Sequence, residues 1–191
     1  MIAKGMKGIR RISLFAATVI SAVALLSCTK ESIKTMYSTQ EGWIESFLSS
    51  QTSALENARI VSNKGSQRLV VSEGQGQELG KDGTISFYYA GYVLKGSTIS
   101  AVNMFATNNE DIAKAASWNT NSDDQFGILT LNLSETELVE GLKNGLIGVK
   151  GGEECFILFS GKYGFGKKPL GTIPANAALA YHIWVESTSN E

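Results

Sequence analysis

The fold of this chain is decided by LVEGL at residues 138–142, GLIGVKGGEE at 145–154, YGFG at 163–166 and GTIPANAALAY at 171–181. In these stretches short apolar pieces alternate with glycines, which are typical of turns and loops. The apolar runs at 155–160 and 179–186 have the length and composition of strands. The last third of the chain therefore predicts two strands separated by a long glycine-rich loop.

A short helix is predicted just before these two strands. Ser134 and Glu137 have the spacing of a capping box, in which each side chain pairs with a backbone N–H at the helix start. Leu138 and Leu142 would then lie on the same side of that helix, facing the sheet. This segment is thus expected to provide the helical layer of the domain.

The sequence before residue 134 predicts further strands. Residues 58–62 and 67–72 are apolar pieces on either side of Asn-Lys-Gly-Ser, which predicts a hairpin. Residues 84–93 and 129–133 alternate apolar and polar side chains, as half-buried strands do. A short helix is expected near 111–117. Together these elements predict an α+β fold, in which an antiparallel sheet wraps around one short helix.

The N-terminal part of the mature chain predicts an amphipathic helix over Ile33–Ser50, after a short polar tether at Thr29–Lys34. Its apolar face would consist of Ile33, Tyr37, Ile44, Phe47 and Leu48. Such a face needs a cover, either the chain's own domain or a partner. Self-association through Ile33–Ser50 therefore stays open from the sequence.

Residues 1–27 are typical of a secretory signal, because a basic start is followed by an apolar run that is short for a membrane span. The run ends in LLSC at 25–28, which resembles a bacterial lipoprotein cleavage box. We expect Cys28 to be the lipidated first residue of the mature protein; the alternative is an ordinary signal that contains a cysteine. The predicted organisation is a signal at 1–27, a tether and helix at 28–57 and a domain at 58–191.

Removal of this leader has three consequences. Taking its four basic residues from the total of 17 leaves 13 against 18 acidic residues, a net charge of about −5 with His neutral, so nucleic acid is not an expected partner. Cys155 would have no cysteine partner, because Cys28 would carry lipid. The protein is expected in a bacterial cell envelope, anchored at Cys28 in the outer membrane on its periplasmic or surface side.

The four C-terminal stretches, together with YYAG at 88–91 and FATN at 105–108, resemble the FK506-binding-protein (FKBP) family of peptidyl-prolyl cis-trans isomerases. The resemblance extends over roughly residues 69–186. It implies an FKBP-like fold, Xaa-Pro segments of exported proteins as substrates, and no metal or cofactor. The single histidine, His182, agrees with the last point, because it is expected in a strand on the face opposite Tyr181.

The resemblance also implies a pocket. Tyr89, Phe165 and Ile173 match its catalytic positions, and the backbone N–H of Ile173 would hold a substrate carbonyl. The expected substrate-binding residues are Phe105, Leu129, Leu138, Val139, Leu142 and Tyr181. From composition alone, each of these side chains would be an ordinary core residue.

Three positions depart from the family pattern. Ala106 replaces a usual aspartate, Leu142 replaces a common tryptophan, and Phe165 replaces a tyrosine whose hydroxyl would bind the substrate. Each lost hydrogen bond is worth about 0.5–1.5 kcal/mol, so activity would be reduced. Two functions remain open: an isomerase that assists folding of exported proteins, and a non-catalytic lipoprotein of the same fold that binds peptides or proteins.

Overall fold

The computed structural model describes residues 9–120 and 126–190, with side chains from Lys30 onward. The side chains of the basic leader residues and of Cys28 lie outside these described residues. The chain divides into two compact units, Met1–Ser38 and Thr39–Glu191. The second unit carries the sheet and begins before residue 58, where the sequence had placed the start of the domain.

The first helix, α1 (Ile9–Ala54), is longer than predicted and continues through residues 29–34, where the sequence suggested a tether. Within Thr39–Ala54, the buried side chains are Gln40, Ile44, Phe47 and Leu48, at the spacing of one helical face. They pack against the chain's own sheet. No helix among the described residues has an apolar stretch long enough to cross a membrane.

The remaining elements confirm the α+β fold. They are β1 (Arg59–Asn63), β2 (Ser66–Ser72), β3 (Thr84–Leu94), β4 (Met104–Thr107), α2 (Glu110–Ala115), β5 (Leu129–Asn132), α3 (Glu140–Leu146), β6 (Glu154–Phe159) and β7 (Ala178–Ser189). All strand pairings are antiparallel, in the order β1-β2-β6-β7-β3-β4, and β5 pairs with β3 beside β4. The predicted hairpin is confirmed as β1 and β2.

The sheet buries apolar side chains on both faces because residues alternate along each strand. We call the face toward α3 the inner face and the face toward α1 the outer face. In β6, Cys155, Ile157 and Phe159 belong to the inner core. Phe156 and Leu158 lie in the outer cluster with α1. The second half of α1 is therefore a structural layer of the domain.

The start of α3 differs from the prediction. The helix begins at Glu140, and its N-cap Val139 makes no side-chain cap hydrogen bond. Ser134 does not cap it, because the Ser134 hydroxyl donates to Asn132 Oδ1 at 2.7 Å in a local turn. Leu138 consequently precedes the helix, and this short non-helical segment forms part of the site described below.

Candidate functional site

A cavity of about 320 Å³ opens on the inner face, between the sheet, the start of α3 and the loop at 161–177. Its lining contains all nine residues that the sequence had singled out: Tyr89, Phe105, Leu129, Leu138, Val139, Leu142, Phe165, Ile173 and Tyr181. Sequence reasoning had not included Phe87, Glu137 and Leu170 in this set. Most of the lining is aromatic or aliphatic, so a bound group would be largely removed from water.

Three aromatic rings form one wall of the cavity. Tyr181 in β7 lies with its ring centroid 5.7 Å from that of Phe105, edge to face, and 6.3 Å from that of Tyr89. Gly91 in β3 makes this packing possible, because a Cβ there would lie 2.6 Å from Cζ of Phe105. The glycine of the 88–91 motif therefore has a packing role next to the site.

Two phenol hydroxyls supply the polar groups of this wall. Burial raises the pKa of Tyr89, and burial together with the neighbouring Tyr89 raises the pKa of Tyr181. Both side chains are therefore neutral at ordinary pH and can donate a hydrogen bond. Neither hydroxyl has a hydrogen-bond partner among the described residues, so both are available to a bound carbonyl.

The loop at 161–177 contributes the third side of the cavity. Phe165 is 40 % exposed at its mouth. Leu170 and Ile173 pair through two reciprocal backbone hydrogen bonds of 2.9 Å. The backbone N–H of Ile173 is thus donated to Leu170 O and is not free in this conformation. Its expected role as the anchor for a substrate carbonyl requires this turn to open.

Asn108 fixes the backbone that carries Tyr89. Its Oδ1 accepts from the backbone N–H of Tyr89 at 2.6 Å, and its Nδ2 donates to Phe87 O at 3.1 Å and to Gly127 O at 2.8 Å. The Thr107 hydroxyl donates to Tyr89 O at 2.6 Å. The sequence had indicated no role for Thr107 or Asn108 in the site, although buried Asn and Thr side chains need such partners.

Comparison with known proteins agrees with this geometry. Residues 118–186 match the family model of the FKBP-type peptidyl-prolyl cis-trans isomerases. The chain is 23 % identical to FK506-binding protein 1 of Aspergillus oryzae over an alignment of 119 residues. This alignment covers 62 % of this chain and 94 % of that protein. The chain has an FKBP-like fold. The family match includes α3, the glycine-rich loop and β7.

Solved structures of FKBP domains have the same fold. The N-terminal domain of FKBP42 from Arabidopsis thaliana has a TM-score of 0.52 at 17 % identity, covering 70 % of this chain and 93 % of that chain. FkpA from Escherichia coli has a TM-score of 0.53 at 16 % identity, covering 97 % of this chain and 75 % of that chain. The cavity also includes Tyr89 and Phe105, which lie outside the stretch matched by the family model.

A buried ion pair supports α3, which contributes Leu142 to the cavity. Arg68 in β2 is 3 % exposed and Glu153 is 1 % exposed, and Arg68 Nε lies 3.3 Å from Glu153 Oε1. The Arg68 guanidinium also donates to the carbonyls of Gly145, Ile147 and Gly148, each at 3.1 Å. A cation is favourable at a helix C-terminus, where carbonyls lack intrahelical partners.

Glu153 is buried, although the glycine-rich stretch that contains it has the composition of an exposed turn. Burial raises its pKa, and the facing Arg68 opposes that shift. His182 does lie on the outer face, opposite Tyr181, and its Nε2 is 2.8 Å from Glu154 Oε1. Within the described residues no group of His, Cys, Asp and Glu side chains has a metal-binding arrangement.

Proposed function

We propose that this protein is an active peptidyl-prolyl cis-trans isomerase that acts on Xaa-Pro segments of exported proteins in the cell envelope. The observation that carries the proposal is the convergence of the nine residues on one apolar cavity with two unpaired phenol hydroxyls. The match of residues 118–186 to the FKBP-type peptidyl-prolyl isomerases supports the type of reaction.

The geometry suits amide rotation. Rotation about a peptide bond meets a barrier of about 18–20 kcal/mol, because the planar amide is stabilised by charge separation. A cavity that excludes water withdraws the solvent that supports this charge-separated form. A donor that holds the carbonyl in the twisted state lowers the barrier further. Tyr89 and Tyr181 are placed to donate in this way, since the N–H of Ile173 is paired within the loop.

Exchange spectroscopy tests this function on the protein that begins at Thr29. Uncatalysed Xaa-Pro exchange takes tens to hundreds of seconds, so catalysed exchange at shorter mixing times is readily detected. We expect exchange with the wild type and its loss in Tyr89→Ala. A folded wild type that leaves the peptide at its uncatalysed rate would contradict the proposal. Tyr37→Ala serves as the control, since Tyr37 is not part of the cavity lining.

A second candidate is a binding protein that holds apolar peptides without turnover. Ala106 favours it, because this residue lines the cavity where the family usually has an aspartate. Phe165 likewise offers no hydroxyl. Peptide titration distinguishes the two: saturable shifts of the pocket residues without exchange between cis and trans peptide would support binding alone, whereas shifts accompanied by exchange support the enzyme.

We also propose that the protein is anchored in the envelope through lipid on Cys28. The support is the LLSC sequence at 25–28 after a basic and apolar leader. Mass spectrometry of the protein from a bacterial membrane fraction should find an N-terminal acylated Cys28. In Cys28→Ser the acylated species should be missing and the protein should leave the membrane fraction. An unmodified Cys28 in the wild type would refute the anchor.

A further inference from the structure

Gln40 in α1 joins the two ends of the pocket loop. It is a polar residue, yet only 5 % exposed. Its Nε2 donates to Asn176 O at 2.8 Å, and its Oε1 accepts from the backbone N–H of Gly161 at 2.8 Å. Gly161 follows β6 and Asn176 precedes β7, so one side-chain amide closes the loop at 161–177 at its base.

The two loop ends are in direct contact at this point. A Cβ on Gly161 would lie 1.9 Å from Asn176 O, which leaves room for glycine only. Asn176 also donates its backbone N–H to Gly166 O at 2.7 Å. A continuous path of hydrogen bonds therefore leads from Gln40 through Asn176 to Gly166, the neighbour of Phe165 at the mouth of the cavity.

The chemistry of this contact calls for a primary amide. A buried backbone N–H or carbonyl destabilises the folded protein when it has no hydrogen-bond partner. The glutamine side chain provides an acceptor and a donor at once, whereas a hydrocarbon provides neither. Ile44, Phe47 and Leu48 hold the same helix on the outer face, so Gln40 has a fixed position relative to β6 and β7.

We propose that Gln40 is a positioning residue of the isomerase pocket. It fixes the base of the loop and thereby the placement of Phe165 and Ile173 over the cavity, although it does not touch substrate. This inference rests on the proposed function and assigns part of it to a helix on the opposite face of the sheet. The outer layer thus stabilises the fold and also shapes the site.

The test compares Gln40→Met with Gln51→Met. Both replace a glutamine in α1 by a side chain of similar length, but no hydrogen bond joins the Gln51 side chain to the loop. We measure kcat and KM by exchange spectroscopy on an Xaa-Pro peptide, amide hydrogen exchange at Gly161, and urea unfolding. Gln40→Met should lower kcat/KM about three- to tenfold relative to Gln51→Met at a temperature where both are folded, since two hydrogen bonds are lost.

Hydrogen exchange separates a positioning role from a loss of global stability. The Gly161 amide should exchange at least about tenfold faster in Gln40→Met, while Ile183 within β7 keeps the protection expected from global unfolding. Gln40→Asn, whose shorter amide cannot reach both loop ends, should be intermediate. It also provides the comparison if Gln40→Met does not fold.

Equal kcat/KM and equal Gly161 exchange in the Gln40 and Gln51 variants would overturn the proposal. Failure of the isomerase function is a different result, in which the wild type itself does not catalyse exchange. In that case peptide affinity and Gly161 exchange still decide the role of Gln40. Weaker peptide binding with faster Gly161 exchange in Gln40→Met would support the positioning role, and unchanged values would contradict it.

Discussion

The same strands form both faces of the sheet, but one face borders a cavity and the other is covered by a helix. On the inner face, Tyr181 of β7 borders a cavity that is open to a ligand. On the outer face, Ala180 and Leu158 are covered by α1, and Phe47 packs edge to face on Phe156 at 5.7 Å. The inner face leaves part of its apolar surface open at the pocket mouth, whereas the outer face covers the apolar side chains that contact α1.

This difference predicts how substitutions separate stability from activity. Side chains packed on all sides lose both transfer free energy and contacts when they are shortened. Side chains at an open cavity lose little packing, because part of their surface already faces solvent or a ligand. Changes in buried layers should therefore affect unfolding most, and changes at the cavity mouth should affect catalysis most.

The largest effect is expected for Arg68→Met. It removes the partner of Glu153 and the donors to the last carbonyls of α3, so the free energy of unfolding should fall by about 3–5 kcal/mol. Arg59→Met is the matched control, because the Arg59–Glu73 pair is exposed, with side-chain exposures of 43 % and 49 %. It should cost at most about 1 kcal/mol. Similar urea midpoints for the two variants would contradict the structural role of Arg68.

The same variant should have a pH dependence with a defined sign. Because burial raises the pKa of Glu153, the folded protein binds this proton more tightly than the unfolded chain. The contribution to stability is thus greatest below the ordinary Glu pKa of 4.5 and is lost as pH rises through the folded pKa. Without Arg68 the raised pKa is no longer opposed, so the deficit of Arg68→Met should be smaller at pH 4 than at pH 7. A deficit independent of pH would argue against this coupling.

Leu158→Ala and Phe165→Ala test the two faces directly. Leu158 is fully buried in the outer cluster, so its loss should cost about 2–5 kcal/mol of stability with little change in kcat/KM of the folded protein. Phe165 is 40 % exposed at the cavity mouth, and its loss should cost below about 1 kcal/mol but reduce kcat/KM several-fold. A larger loss of stability in Phe165→Ala by urea unfolding, together with a larger loss of kcat/KM in Leu158→Ala by exchange spectroscopy, would contradict this difference between the two faces.

Removal of single hydroxyls should have a smaller effect. Tyr89→Phe and Tyr181→Phe keep the rings but lose one donor each, so kcat/KM should fall about two- to tenfold with little change in stability. Since the pKa of both phenols is raised, wild-type activity should not decline from pH 7 to the ordinary tyrosine pKa of 10. Loss of activity in that range would show that another group carries the donor role.

The smallest effect, an increase, is expected for Ala106→Asp. This change restores the carboxylate usual in the FKBP family at a position that lines the cavity. One added hydrogen bond to the pocket should raise kcat/KM about two- to fivefold. Ala116→Asp, outside the cavity, is the control. Lower activity in Ala106→Asp would indicate that this pocket has adapted to an apolar side chain at 106.

The sequence predicted strands more accurately than helix starts. The alternation at 84–93 and 129–133 predicted β3 and β5 to within a residue, because successive side chains of a strand point to opposite faces of the sheet. The capping box at Ser134 was wrong, since Asn132 competes for the same hydroxyl. The helix bounds of α1 were also wrong, as helix propensity continues through residues 29–34 without a stop signal.

The sequence by itself determined the FKBP-like fold, because local patterns of glycine and apolar residues set its turns and buried faces. Its resemblance to the FKBP family identified nine of the side chains around the cavity. Only the tertiary structure decided which polar groups are paired. Gln40 accepts a hydrogen bond from Gly161, Arg68 forms an ion pair with Glu153, and the N–H of Ile173 donates to Leu170 O. The first two contacts join residues that lie far apart in the chain, and the third depends on a loop conformation. A local pattern does not specify such pairings, since they arise when packing removes each group from water.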